Sequence, residues 1–276
     1  MDSLKVKNNL KKIGLAISGA GVLGTLEVGA CKCLDEFGFS YSKIVGTSAG
    51  SITGSLLALG FSVDDMEKIV LEANFEKLIP YNYLGAFIKG YLASNKNVTA
   101  WLKDITSHAV FGDCKIPFVA ITSDIQTGSV YIFDSTSPEF ADIPIWQGVL
   151  ASMSIPDVFP VFQDKFVDGG VLNNLGVNFL DRKSPNIALK VVDGSGFYKP
   201  GSLIGLQERL IGMLLSASEN DMVQLAKAYN IPIIPLNSHS FGFLDRSMSL
   251  SDKKMLIQWG YYAVKNNKDF SNLMRG

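Results

Sequence analysis

Histidine and cysteine are scarce in this chain of 276 residues, which has two of the first and three of the second, and each scarcity narrows the chemistry available. Cys31, Cys33 and Cys114 are odd in number and lack metal-ligand spacing, and Cys31 and Cys33 fall in a stretch that reads as helix. A disulfide framework or structural zinc site does not fit, whereas a reducing compartment does. No His/Cys cluster and no calcium loop is evident, so neither a metal nor another cofactor is expected. An excess of charge is also missing: the formal net charge is −1. It offers no overall field for nucleic acid or an anionic membrane, and the cluster Lys5, Lys7, Lys11 and Lys12 reads as a solvated tail.

Long apolar runs are absent too. The first twelve residues alternate polar and charged groups rather than forming a secretory leader. The longest apolar stretches, such as residues 55–61 and 211–215, fall short of the roughly 20 residues that span a bilayer. The expectation is a cytoplasmic protein whose membrane contact, if any, is peripheral. What the chain does have is 47% hydrophobic and 18% charged residues, enough to bury a sizeable core. No linker, low-complexity tract or repeat interrupts it, so a single domain over residues 1–276 is expected, with the motifs confined to about 13–195.

Short apolar runs alternate with helical periodicity. Strands are predicted at 13–18, 43–46, 117–123, 130–133, 161–167, 187–192 and 231–235, and helices at 26–37, 49–59, 62–73, 98–110, 203–229 and 251–265. Strands separated by helices imply an α/β fold with a parallel sheet. Residues 79–92 are irregular, with Tyr81, Tyr83, Leu84, Phe87, Ile88 and Tyr91 around Lys89, and read either as an interfacial lid or as an ordinary buried helix and loop.

Three segments carry chemistry. Gly46-Thr47-Ser48-Ala49-Gly50 has the G-x-S-x-G pattern between an apolar strand and a predicted helix, the context in which a serine is held in a strained turn and exposed. The N–H of Ala49 and the positive end of the helix would favour charge growing on an ester oxygen. The same five residues can also be a plain tight connection.

The second segment, Ser18-Gly19-Ala20-Gly21-Val22-Leu23-Gly24, matches a dinucleotide fingerprint by spacing. A nucleotide site needs an acidic residue about 20 positions on, at the end of the next strand, and that strand ends in Gly46-Thr47-Ser48 instead. An oxyanion cradle beside Ser48 is the better reading, with a structural turn as the other option. In the third, Val167-Asp168-Gly169-Gly170, two glycines permit a sharp turn that presents a carboxylate at a strand end, or an aspartate that caps its own turn.

In this order and at these separations the three segments resemble the patatin-like phospholipase family. Residues 122–128, 151–160 and Val171-Leu172-Asn173-Asn174 are also similar to family segments. The resemblance implies a three-layer α/β architecture with a central, mostly parallel sheet. It further implies Ser48 as nucleophile, Asp168 as its only base, and Gly19, Ala20 and Gly21 around the oxyanion; the reading of the segments themselves adds Ala49 to the oxyanion site and Gly24, Gly46, Gly50, Gly169 and Gly170 as supports of the turns. The family loop usually reads Gly-Gly-Gly-x-Arg/Lys-Gly, and this chain departs from it at Ala20 and Leu23.

The implied activity is hydrolysis of carboxylic esters in phospholipids or related lipids, with the lipid as partner and no nucleic acid. Two alternatives stand beside it. One is a lipid-binding or regulatory protein that keeps the fold without turnover, suggested by the altered loop. The other is a Ser-His-Asp hydrolase, for which His239 is the one histidine late enough in the chain.

Overall fold

Alternation along each strand builds both faces of the sheet. In the computed structural model, which describes residues 11–83, 88–194 and 203–270, the strands are β1 (Lys11–Ile17), β2 (Phe39–Thr47), β3 (Phe118–Asp124), β4 (Ser129–Asp134), β5 (Phe166–Asp168), β6 (Asn186–Val192) and β7 (Ile233–Asn237). They form one sheet of seven strands in the order β4-β3-β2-β1-β6-β7, with β5 paired to β3 off that path. The four central pairings are parallel, and β4 and β5 run antiparallel to β3.

The helices are α1 (Thr25–Glu36), α2 (Ala49–Leu59), α3 (Val63–Glu72), α4 (Phe75–Leu78), α5 (Lys96–Ile105), α6 (Ile145–Ser152), α7 (Leu203–Ala228) and α8 (Leu250–Lys265). On one face of the sheet Leu15, Ile17, Ile44, Phe118 and Leu189 pack with Leu26, Leu34, Leu56 and Leu256 of α1, α2 and α8. On the other, Ala16, Val45, Val119, Ile121 and Ala188 pack with Leu175, Val177 and Ala226, the last from α7. Successive residues therefore point into different cores, which is why the central strands read as unbroken apolar runs. The result is an α/β fold with a mostly parallel sheet flanked by helices.

Local chemistry sets the ends of several elements. Gly60 closes α2 in the left-handed region at φ 88°, and the Ser62 hydroxyl accepts from the Asp65 N–H to cap α3. Elsewhere the structure departs from the periodicity. Helix α5 stops at Ile105 instead of 110, because Ser107 and His108 both adopt positive φ. The strand expected at 161–167 is only Phe166–Asp168: Gln163 and Asp164, each at φ 52°, reverse the chain, and Phe162 bridges back to Phe166. Helix α6 was not anticipated, since it is buried on most sides and carries no polar stripe.

Lys5 and Lys7 of the basic cluster, and Leu84 and Phe87 of the candidate lid, lie outside the described residues. Of the rest of that segment, Tyr83 and Ile88 are exposed and Leu92 is buried. No helix among the described residues is long and apolar enough to cross a membrane. All three cysteines are free thiols.

Candidate active site

Strand β3 serves as the ruler of the site. Thr47, the last residue of β2, pairs with Ile121, and Asp168, the last residue of β5, pairs with the next residue, Thr122. Because β2 runs parallel and β5 antiparallel to β3, the two strands end head to head. Ser48 and Asp168 are thus delivered to one place although they lie far apart in sequence.

Ser48 sits at φ 51°, ψ −122°, a conformation that a residue with a side chain holds only under constraint. The constraint is visible: its N–H donates to the Ser152 hydroxyl at 2.9 Å, and its carbonyl accepts from the Ser51 N–H at 2.9 Å and the Ser51 hydroxyl at 2.6 Å. The flanking glycines are a packing requirement. A Cβ on Gly46 would stand 2.3 Å from the Gly50 carbonyl oxygen, and one on Gly50 would stand 2.5 Å from that of Ile17.

Asp168 is 1% exposed. Its Oδ1 accepts from the Gly170 N–H at 2.7 Å, so the second of the two glycines after it binds the carboxylate that it follows. Its Oδ2 is buried and makes no hydrogen bond among the described residues. Burial pushes the carboxyl up to about 7, against the lowering effects of the Ser48 side chain and the Gly170 N–H. The Ser48 side chain thus lowers the pKa of the carboxyl, while Oδ2 accepts no hydrogen bond among the described residues. Hydrogen bonds of a catalytic pair commonly tighten only once substrate is bound.

The glycine loop faces the same place. The N–H of Gly19 is taken up by Asn174, whose carbonyl oxygen is 3.2 Å away and whose Oδ1 is 3.1 Å away. The N–H groups of Ala20 and Gly21 meet no acceptor among the described residues, and that of Ala49 opens α2, where a helix has no carbonyl to offer. Gly21 lies at φ 54°, and a Cβ there would come within 2.1 Å of the Phe243 carbonyl oxygen. That carbonyl accepts from the Val22 N–H at 3.0 Å, so the loop before α8 clamps the glycine loop. The two departures from the family pattern, Ala20 and Leu23, are both buried in the core.

Ser48, Asp168 and residues Gly19, Ala20 and Gly21 line one cleft of about 830 Å³, which is also lined by Lys190, Arg209 and Glu219. An apolar cavity of about 70 Å³ adjoins it, sharing Ser48 and Gly21 and lined also by Ile52, Trp101, Met153 and Phe159. His108 and His239 line neither; both are exposed, and the His239 ring packs edge-on against Trp259 at 4.4 Å. Among the described residues no group of three or more His, Cys, Asp or Glu is placed to hold a metal ion. Asn174, Lys190, Glu219 and Phe243 were not singled out from sequence as site residues. Only Asn174 had a signal, its place just after the aspartate turn.

A model of the patatin-like phospholipase family matches residues 15–181. The Bacillus subtilis protein YqhO is 26% identical over 272 residues, covering 88% of this chain and 93% of YqhO. Patatin-like phospholipase domain-containing protein 7 of Rattus norvegicus is 25% identical over 199 residues, which is 66% of this chain but 14% of that protein. Among solved structures, VipD of Legionella pneumophila aligns with a TM-score of 0.63 at 15% identity, covering 95% of this chain and 66% of VipD. The type III effector ExoU aligns at 0.53 and 14%, covering 96% of this chain and 54% of ExoU. These two likenesses show the shared fold.

Proposed function

Because the chain belongs to the patatin-like phospholipase family, we propose that it is a lipid acyl hydrolase of the phospholipase A or lysophospholipase type, with Ser48 as nucleophile and Asp168 as its base. The observation that carries this reading is the meeting of a strained, cleft-facing Ser48 with a buried carboxylate whose free oxygen is Oδ2 and whose pKa is about 7. A base poised near neutrality is matched to its task, and no histidine stands near enough to take its place.

In the proposed reaction the Ser48 Oγ attacks the ester carbonyl carbon while its proton passes to Asp168 Oδ2. The oxyanion accepts from the N–H groups of Ala20, Gly21 and Ala49, each such donor contributing a factor of about 10²–10³ in rate. Gly19, whose N–H is held by Asn174, fixes the loop rather than donating to the oxyanion. Collapse of the tetrahedral intermediate expels the alcohol, which takes the proton back from Asp168. Water then attacks the acyl-serine, giving its proton to Asp168, and the fatty acid leaves as Ser48 is reprotonated.

The apolar cavity beside Ser48 would seat the first carbons of the acyl chain. Peripheral contact with lipid is proposed at the cleft rim, where Tyr83, Leu210, Met213 and Leu214 are each more than half or about half exposed. Helix α7 carries three of these residues and also lends Gly212, Leu215 and Glu219 to the cleft. The test is fatty-acid release from phospholipid vesicles and hydrolysis of a short-chain ester, for the wild type and Ser48→Ala. Release by the wild type alone is expected. A folded wild type that binds vesicles without releasing fatty acid would replace this reading with that of a lipid-binding protein.

A further inference from the structure

We infer that Glu219 is a positioning residue, which orients the side-chain amide of Asn174 so that Asn174 holds the glycine loop in place for the oxyanion. The inference rests on the Ser48–Asp168 reading. Three contacts form a continuous chain. The Lys190 Nζ pairs with Glu219 Oε2 at 2.7 Å, Asn174 Nδ2 donates to Glu219 Oε1 at 3.2 Å, and the Gly19 N–H donates to Asn174 Oδ1 at 3.1 Å.

The chain has a direction set by chemistry. An ionised carboxylate only accepts, so Glu219 demands the NH₂ end of the Asn174 amide and leaves the oxygen end for the Gly19 N–H. Without the carboxylate the amide loses the acceptor that fixes its NH₂ end, and an amide turned over would set two donors face to face at Gly19. The space around Asn174 is also tight: a Cβ on Gly19 would come within 2.4 Å of its Oδ1, and one on Gly170 within 2.6 Å. One amide is therefore wedged between the glycine loop and the turn that carries Asp168.

Glu219 and Asn174 are both about 5% exposed, so the contact between them is shielded from water. Burial raises the pKa of Glu219, while Lys190 and the Asn174 amide counter the rise and favour the ionised form. One residue earlier on α7, the Ser218 hydroxyl donates to the Gly170 carbonyl at 2.6 Å. The same helix thus touches the turn after Asp168 at two points and reaches the glycine loop through Asn174.

The test reverses the chain and asks whether function returns. Glu219→Gln sets an amide against Lys190 and Asn174, and Asn174→Asp sets two carboxylates face to face. In the double variant the polarity is restored: the new amide at 219 offers its oxygen to Lys190 and its NH₂ to the new carboxylate at 174, whose other oxygen still accepts from Gly19. With a short water-soluble ester, each single variant should lose at least ~10-fold in kcat with KM within about twofold, since the oxyanion forms only in the transition state. The double variant should return to within about threefold of the wild type.

Single variants with wild-type kcat, or a folded double variant no better than the worse single, would overturn the inference. Asn174→Ala, which deletes the Oδ1 acceptor, is the second route if a charge-altering variant does not fold: a kcat-selective loss supports the role and an unchanged kcat overturns it. Ser48→Ala retaining activity would instead refute the Ser48–Asp168 reading, and this inference with it.

Discussion

The space between α1 and α2 and the turn after β5 each hold a carboxylate removed from water, and the two are alike in most respects. Glu27 is wholly buried, accepts from the Thr53 hydroxyl at 2.7 Å through Oε2, and leaves Oε1 without a hydrogen bond among the described residues. Burial lifts it to about 8, much as burial lifts Asp168 to about 7. The difference is in what each one faces. Asp168 lines the large cleft with Ser48, whereas Glu27 lines neither cavity beside Ser48 and meets a threonine between two helices. A raised pKa marks a carboxyl deprived of water; a nucleophile and an open cleft beside it are what give that carboxyl a reaction.

The sharpest way to break this comparison is to neutralise each carboxylate in turn. Asp168→Asn should lower ester turnover by at least the ~10²–10⁴ assigned to general-base catalysis, while the fold persists. Glu27→Gln should keep kcat within a few-fold of the wild type in the same assay. Equal losses in the two variants would mean that burial, and not the neighbouring serine, is what matters.

Stability separates the two regions less, because both carboxyls have folded-state pKa values above the ordinary values of 4.5 for Glu27 and 3.8 for Asp168. Between the unfolded and folded values the native state holds a proton that the unfolded chain has released. Each group therefore favours folding fully below its unfolded pKa and loses that contribution as pH rises, to about 8 for Glu27 and about 7 for Asp168. Glu27→Gln should melt at a higher temperature than the wild type at pH 9 and at nearly the same temperature at pH 4. A melting temperature lowered by the same amount at both pH values would show that Glu27 is a structural acceptor that stays ionised. The smallest effect is expected at the histidines: His108→Ala and His239→Ala should keep most activity, and a folded His239→Ala as inactive as Ser48→Ala would reinstate the triad.

The serine turn was legible because its requirements are local. Gly46 leaves space for the Gly50 backbone within the same five residues, and the strand and helix around them follow from periodicity. The aspartate turn was legible in the same way, since Asp168 binds the N–H of a glycine two positions on. What sequence could not reveal is what topology assembles. The link from Asn174 through Glu219 to Lys190 joins the turn after β5, helix α7 and strand β6, and no spacing encodes it. The Gly19 N–H could be counted as a free donor from sequence only because its acceptor lies 155 residues away. At 161–167 the apolar residues Val161, Phe162, Phe166 and Val167 resemble a strand, and the reversal at Gln163 and Asp164 carries no glycine to announce it.

The central claim, that Asp168 activates Ser48, is tested most directly by the pH dependence of covalent labelling of Ser48 by a fluorophosphonate, followed by intact mass in the wild type and Asp168→Asn. The wild-type rate should rise as pH passes through about 7, where the buried carboxyl becomes a base, and level off above it. Asp168→Asn should label slowly and show no such rise. Labelling at the same rate in both proteins across that range would contradict the account.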